Sequence, residues 1–133
     1  MQRLRVAIVA DYPEEGWPSM DLVAEMVLDH LRRGHADEVE AARVCPPYRH
    51  RLGRLPGRRL AHAARNADRV LNRFADYPRH LRRLARDEPF DVYHVIDHSY
   101  ARAPHSFLAN SAKKRMVFLG LSRHRKKDQN SNG

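Results

Sequence analysis

The sequence predicts an α/β fold, a parallel sheet with flanking helices. Three observations predict it. Short apolar runs with β-branched residues recur at Leu4–Asp11, Val39–Val44 and Phe90–Ile96. Segments of helical period separate them. Loops rich in proline and glycine follow the first two runs, where chains leave a parallel sheet.

The first run, Leu4-Arg5-Val6-Ala7-Ile8-Val9-Ala10-Asp11, reads as a strand buried on both faces. Tyr12 to Pro18 is a loop carrying Gly16 and Trp17. Ser19 is the expected N-cap of a helix, with Asp21 in its first turn. Leu22, Val23, Met26, Val27, His30 and Leu31 form its expected buried stripe, and Gly34 its stop. Val39–Val44 is the second strand. Cys45–Arg59 is a loop with five arginines, Arg49, Arg51, Arg54, Arg58 and Arg59, and no acid.

A helix follows, with Leu60, Ala63, Ala67, Val70, Leu71 and Phe74 on one stripe and Arg65, Arg69 and Arg73 on another. Pro78 is expected to break it, leaving a second short helix to about Glu88. Phe90–Ile96 is the third strand. Ala103–Ala112 has helical character, and Met116–Leu121 reads as a fourth strand. Strands alternating with helices make a Rossmann-like half with right-handed crossovers, the first strand in the middle. Ligands of such sheets sit beyond the carboxyl ends of the strands. That rule selects Asp11–Ser19, Cys45–Arg59 and Asp97–Tyr100.

The chain has 133 residues, 42% hydrophobic and 31% charged, which suits one globular domain. Cys45 is the single cysteine, so neither an internal disulfide nor a cysteine metal site is expected, and a reducing cytoplasm fits. No stretch approaches the roughly 18 apolar residues of a membrane span. The net charge of +9 predicts attraction to polyanions.

Lysine is confined to Lys113, Lys114, Lys126 and Lys127, and serine and asparagine rise over the same stretch. The boundary divides the chain into a Rossmann-type domain at 1–112 and a basic segment at 113–133. The segment reads either as a solvated, disordered tail or as a stretch of foreign coding origin.

Several chemistries are excluded. There is no phosphate-binding G-x-x-x-x-G-K-[ST] loop, no G-x-G-x-x-G after the first strand and no G-x-S-x-G elbow. Asp11 stands alone in sequence after its strand, unlike the clustered acids of a phospho-receiver. His94, His98 and His105 have no nearby cysteine, and no metal is expected.

The order of these motifs resembles the N-terminal domain of GT-B glycosyltransferases of the family-4-like group. It rests on the strand ending Ala10-Asp11, the Gly16 loop, the capped helix and Phe90-Asp91-Val92-Tyr93-His94-Val95-Ile96-Asp97-His98-Ser99-Tyr100. The likeness covers about residues 3 to 101. It implies transfer of a sugar from a nucleotide-sugar to an acceptor hydroxyl, with no further cofactor. It implies that Gly16 approaches the donor diphosphate and that Asp97, His98 and Tyr100 reach the cleft, His98 as the candidate base. Trp17 would stack on a sugar or pack under its loop, and Asp11 would fix the strand-end loop.

One departure is plain: the family's later His-Asp pair is replaced by Met116-Val117-Phe118-Leu119-Gly120-Leu121-Ser122-Arg123-His124. The family's donor-binding domain is also expected to be missing, so the chain alone should be inactive. The arginine loop would suit a phosphorylated or lipid-linked acceptor, or an anionic membrane surface. Two rival functions remain, a basic nucleic-acid-binding module and a non-catalytic subunit needing a donor-domain partner. Against nucleic acid, the basic loop offers one stacking aromatic, Tyr48.

Overall fold

The structure, a computed structural model, describes residues 2–54, 56–88 and 90–97, and the backbone of a strand at 115–118. Four parallel strands form one sheet: β1 (Leu4–Val9), β2 (Val39–Val44), β3 (Val92–Val95) and β4 (Arg115–Phe118), in the order β2-β1-β3-β4. Val6 of β1 pairs with Ala41 of β2 on one side and Val92 of β3 on the other. The expected central position of the first strand is therefore observed. Val92 in turn pairs with Arg115, so β4 falls at the start of the fourth strand expected from sequence. The helix expected at Ala103–Ala112 lies outside the described residues.

Side chains alternate across the sheet and build two cores. Val6, Ile8, Ala10, Ala41 and Ile96 face helix α1 (Pro18–Gly34), meeting Ala24 and Leu28. Ala7, Val9, Val44, Tyr93 and Val95 face helix α3 (Tyr77–Asp87), meeting Tyr77 and Leu81. The arrangement is three-layered and Rossmann-like. Among the described residues, no helix is long and apolar enough to cross a membrane.

Several sequence expectations are corrected in detail. Helix α1 begins at Pro18, and Trp17 rather than Ser19 is its N-cap, without a side-chain capping bond. Proline is well placed at a first helical position, where its missing N–H leaves no bond unmade. The buried row of α1 contains Ala24 and Leu28, while Leu22 and Met26 are exposed. Two adjacent apolar rows share the helical period, and the flat sheet takes the row containing the small Ala24.

Pro78 does not break its helix. Helix α2 (Arg58–Leu71) continues through a π-helical turn at Asn72–Asp76 into α3. In that turn the Tyr77 N–H donates to the carbonyl of Asn72, five residues back. The shifted ladder lets the chain enter α3 with Pro78 in its first turn, where no bond is asked of it. Arg58 and Arg59 belong to α2 rather than to the loop, which ends at Gly57.

Candidate functional site at the carboxyl edge of the sheet

The chain leaves β2 on one side of β1 and reaches β3 on the other. The carboxyl ends of β1 and β3 thus form a switch point, the place where open α/β sheets hold ligands. Asp11 follows β1 there, and Asp97 follows β3.

Asp11 is 3% exposed, and among the described residues neither of its carboxylate oxygens has a hydrogen-bond partner. Burial raises its pKa from 3.8 to about 7, helped by the negative fields of Asp97 and Glu15 and opposed by Arg73. The expectation that Asp11 fixes the strand-end loop is corrected: its carboxylate holds nothing among the described residues. Cys45 beside it donates weakly from Sγ to the Asp11 carbonyl at 3.5 Å, and burial pushes its thiol up to about 12. A thiol so placed is an inert packing group.

The loop after β1 makes one 3₁₀ turn at Pro13–Glu15 and closes at Gly16. Gly16 has φ 69° and ψ 44°, and its N–H donates to the Pro13 carbonyl at 3.1 Å. A Cβ there would meet nothing within 4 Å, so backbone conformation rather than space calls for glycine. Glu15 turns inward, its side chain 1% exposed, and pairs with Arg73 at 2.5 Å. Arg73 thereby ties the π-turn to the glycine loop and stands in the field of Asp11. A cleft between Glu15 and the helix is lined by Asn66, Arg69, Val70, Arg73 and Phe74.

Aromatic residues hold the strand ends beneath. The Tyr77 hydroxyl lies 2.5 Å from the Ala10 carbonyl and 3.0 Å from that of Val44, sharing one proton between the ends of β1 and β2. Tyr12 stacks edge-on against both Tyr77 and Tyr48, and its hydroxyl donates to the Asn72 carbonyl at 3.3 Å.

The arginine loop is organised by residues that sequence reasoning passed over. Asp68 is 1% exposed and accepts backbone N–H groups from Arg51 (3.1 Å), Leu52 (3.0 Å) and Gly53 (2.9 Å). Burial opposes its ionisation, but these three donors outweigh that and hold its carboxyl below the ordinary range. Asn72 accepts the Arg49 N–H and donates to the Arg49 carbonyl, both at 2.8 Å. Asp76 takes the Arg51 guanidinium in a two-point pair at 2.7 and 2.9 Å. The inward row is therefore Asp68, Asn72 and Asp76, spaced by four, not the apolar stripe. Leu60, Val70, Leu71 and Phe74 are 67%, 55%, 40% and 63% exposed. The available signal was an acid and an amide at i and i+4, opposite a loop with no acid of its own.

The remaining expected site residues divide clearly. Arg51 is committed to Asp76, while Arg49, Arg54, Arg58 and Arg59 form no ion pair among the described residues. Trp17 is 51% exposed at the mouth of the glycine loop. His98 and Tyr100 lie outside the described residues, as does His105. His94 is half-buried, and burial lowers its pKa. Among the described residues, no group of three His, Cys, Asp or Glu side chains is arranged to hold a metal ion.

Compared with known family models, curated proteins and solved structures, the chain matches none.

Proposed function

We propose that these residues form the acceptor-side domain of a two-domain GT-B glycosyltransferase of the family-4-like group. The observation that carries the reading is Asp11, a buried carboxyl without a described hydrogen-bond partner at the switch point between β1 and β3. A carboxyl with a pKa of about 7 takes up a proton most usefully near neutral pH. In the proposed reaction an acceptor hydroxyl gives its proton to Asp11. The hydroxyl oxygen bonds to the anomeric carbon of the donor, and the nucleoside diphosphate leaves with the bonding pair.

Gly16 and the first turn of α1 would face the donor diphosphate, and Trp17 a sugar ring. Asp97 supports the negative field that keeps Asp11 basic. Donor binding belongs to a second domain in this family, so residues 1–133 by themselves are expected to bind ligand without transferring sugar.

The test is a titration of the isotopically labelled chain with a panel of glycans and sugar phosphates, read amide by amide in NMR spectra. The expected result is a response at residues 11–17 and 95–97 that Asp11→Asn removes. Ligands that move only amides elsewhere, or turnover of labelled nucleotide-sugar by the chain alone, would sink the reading.

A second reading, a module that binds polyanions, is favoured by one observation. Arg79, Arg82, Arg83 and Arg86 line a groove along one face of α3, and only Arg86 has a described ion pair, with Asp87. Salt-sensitive binding to homopolymeric RNA that Arg82→Gln with Arg83→Gln abolishes would favour it.

A further inference from the structure

We propose that the outer face of α2, with the loop that packs against it, docks on an anionic lipid bilayer. From Pro46 to Phe74 the chain contains one acid, Asp68, and the fold turns that acid inward onto three backbone N–H groups. The outer surface of this stretch thereby carries no acid of its own, and Glu15, which borders it at Val70 and Phe74, is buried and paired with Arg73. It carries six arginines with no ion pair among the described residues: Arg49, Arg54, Arg58, Arg59, Arg65 and Arg69.

The same helix leaves Leu60, Val70 and Phe74 largely exposed and Leu71 partly so, with Arg69 beside Val70 and Phe74 in one cleft. A helix that buries its polar row and leaves an apolar row exposed, with a separate row of arginines on another face, inverts the usual pattern of a globular surface. It matches a helix lying in a membrane interface, where acyl chains cover the apolar row and anionic headgroups meet the cations.

Charge and side-chain chemistry discriminate among occupants. A second copy would set six like-charged guanidinium groups against six more across a two-fold interface. Nucleic acid would satisfy the arginines, but the row offers it one ring, Phe74, among aliphatic side chains that bases do not cover well. An anionic bilayer supplies both complements at once.

The experiment is co-sedimentation of the full chain with phosphatidylcholine vesicles, with and without phosphatidylglycerol. Two double variants, Leu60→Ser with Phe74→Ser and Arg65→Gln with Arg69→Gln, change only exposed groups. Circular dichroism checks that each keeps its fold. The expected result is sedimentation with phosphatidylglycerol vesicles alone, weakened about tenfold or more by each double variant. No sedimentation, or binding that both variants leave intact, overturns the proposal. A wild-type dimer that Leu60→Ser with Phe74→Ser turns into a monomer would assign the row to a second copy. Binding to homopolymeric RNA that the arginine variant removes, with vesicles left unbound, would assign it to nucleic acid.

Discussion

The Asp68 carboxylate accepts the Gly53 N–H at 2.9 Å, and a Cβ placed on Gly53 would lie 3.3 Å from the same oxygen. One inward-facing acid on α2 thus sets the course of the loop after β2. Replacing Asp68 by Ala leaves three backbone donors without their acceptor, a loss of about 3 kcal/mol, since bonds to a charged group are the stronger kind. Urea unfolding of Asp68→Ala measures it, and hydrogen exchange should quicken at residues 51–53. A change under about 0.5 kcal/mol would contradict this account of the loop.

Asp11 predicts a pH dependence of stability. Its folded pKa of about 7 exceeds the ordinary value of 3.8, so the folded state holds this proton more tightly than the unfolded chain does. The protein is therefore most stable, as far as Asp11 is concerned, below about pH 4, and loses that stability as pH rises to about 7. The full difference is on the order of 4 kcal/mol. Asp11→Asn should raise the melting temperature at pH 8 and flatten its slope between pH 4 and 7. A slope unchanged by the substitution would show that Asp11 titrates normally.

Arg51 and Arg54 lie three apart in one loop but differ in role. Arg51 pairs with Asp76 through two hydrogen bonds, and Arg54 has no ion pair among the described residues. Arg51→Gln should lower the melting temperature measurably, whereas Arg54→Gln should leave it unchanged. Equal effects would mean that the Arg51 pair adds no stability, as many surface pairs do not.

Tyr77→Phe removes the hydroxyl that joins the ends of β1 and β2 while keeping the ring stacked on Tyr12. Two buried carbonyls lose a donor, though Val44 retains the Ala10 N–H at 3.0 Å. The expected cost is about 1–2 kcal/mol, read by chemical denaturation.

Backbone pairing places Arg115–Phe118 beside β3. Amide exchange across 115–118 should therefore be slowed to the level of residues 92–95. Fast exchange there would return the segment to the solvated tail that its lysine and serine content suggests.

The strand runs, their parallel order with Leu4–Val9 central, and the loops that reach the carboxyl edge were legible in the sequence by itself. Apolar runs separated by helical segments admit few topologies, and a right-handed crossover removes most of those. What only the tertiary structure decided is phase. A helical period says that residues three or four apart share a face, but not which of two competing faces turns inward. In α2 the loop at 51–53 brings three backbone N–H groups that must find acceptors, and Asp68 supplies them, so the polar row is buried and Leu60, Val70 and Phe74 are left outside. The same limit hid the character of Asp11. Alone after its strand in sequence, it lies in the field of Asp97 and Glu15 only because the sheet sets β3 beside β1 and the 3₁₀ turn folds Glu15 inward. Desolvation and neighbouring charge are properties of that packing, and no pattern along the chain encodes them.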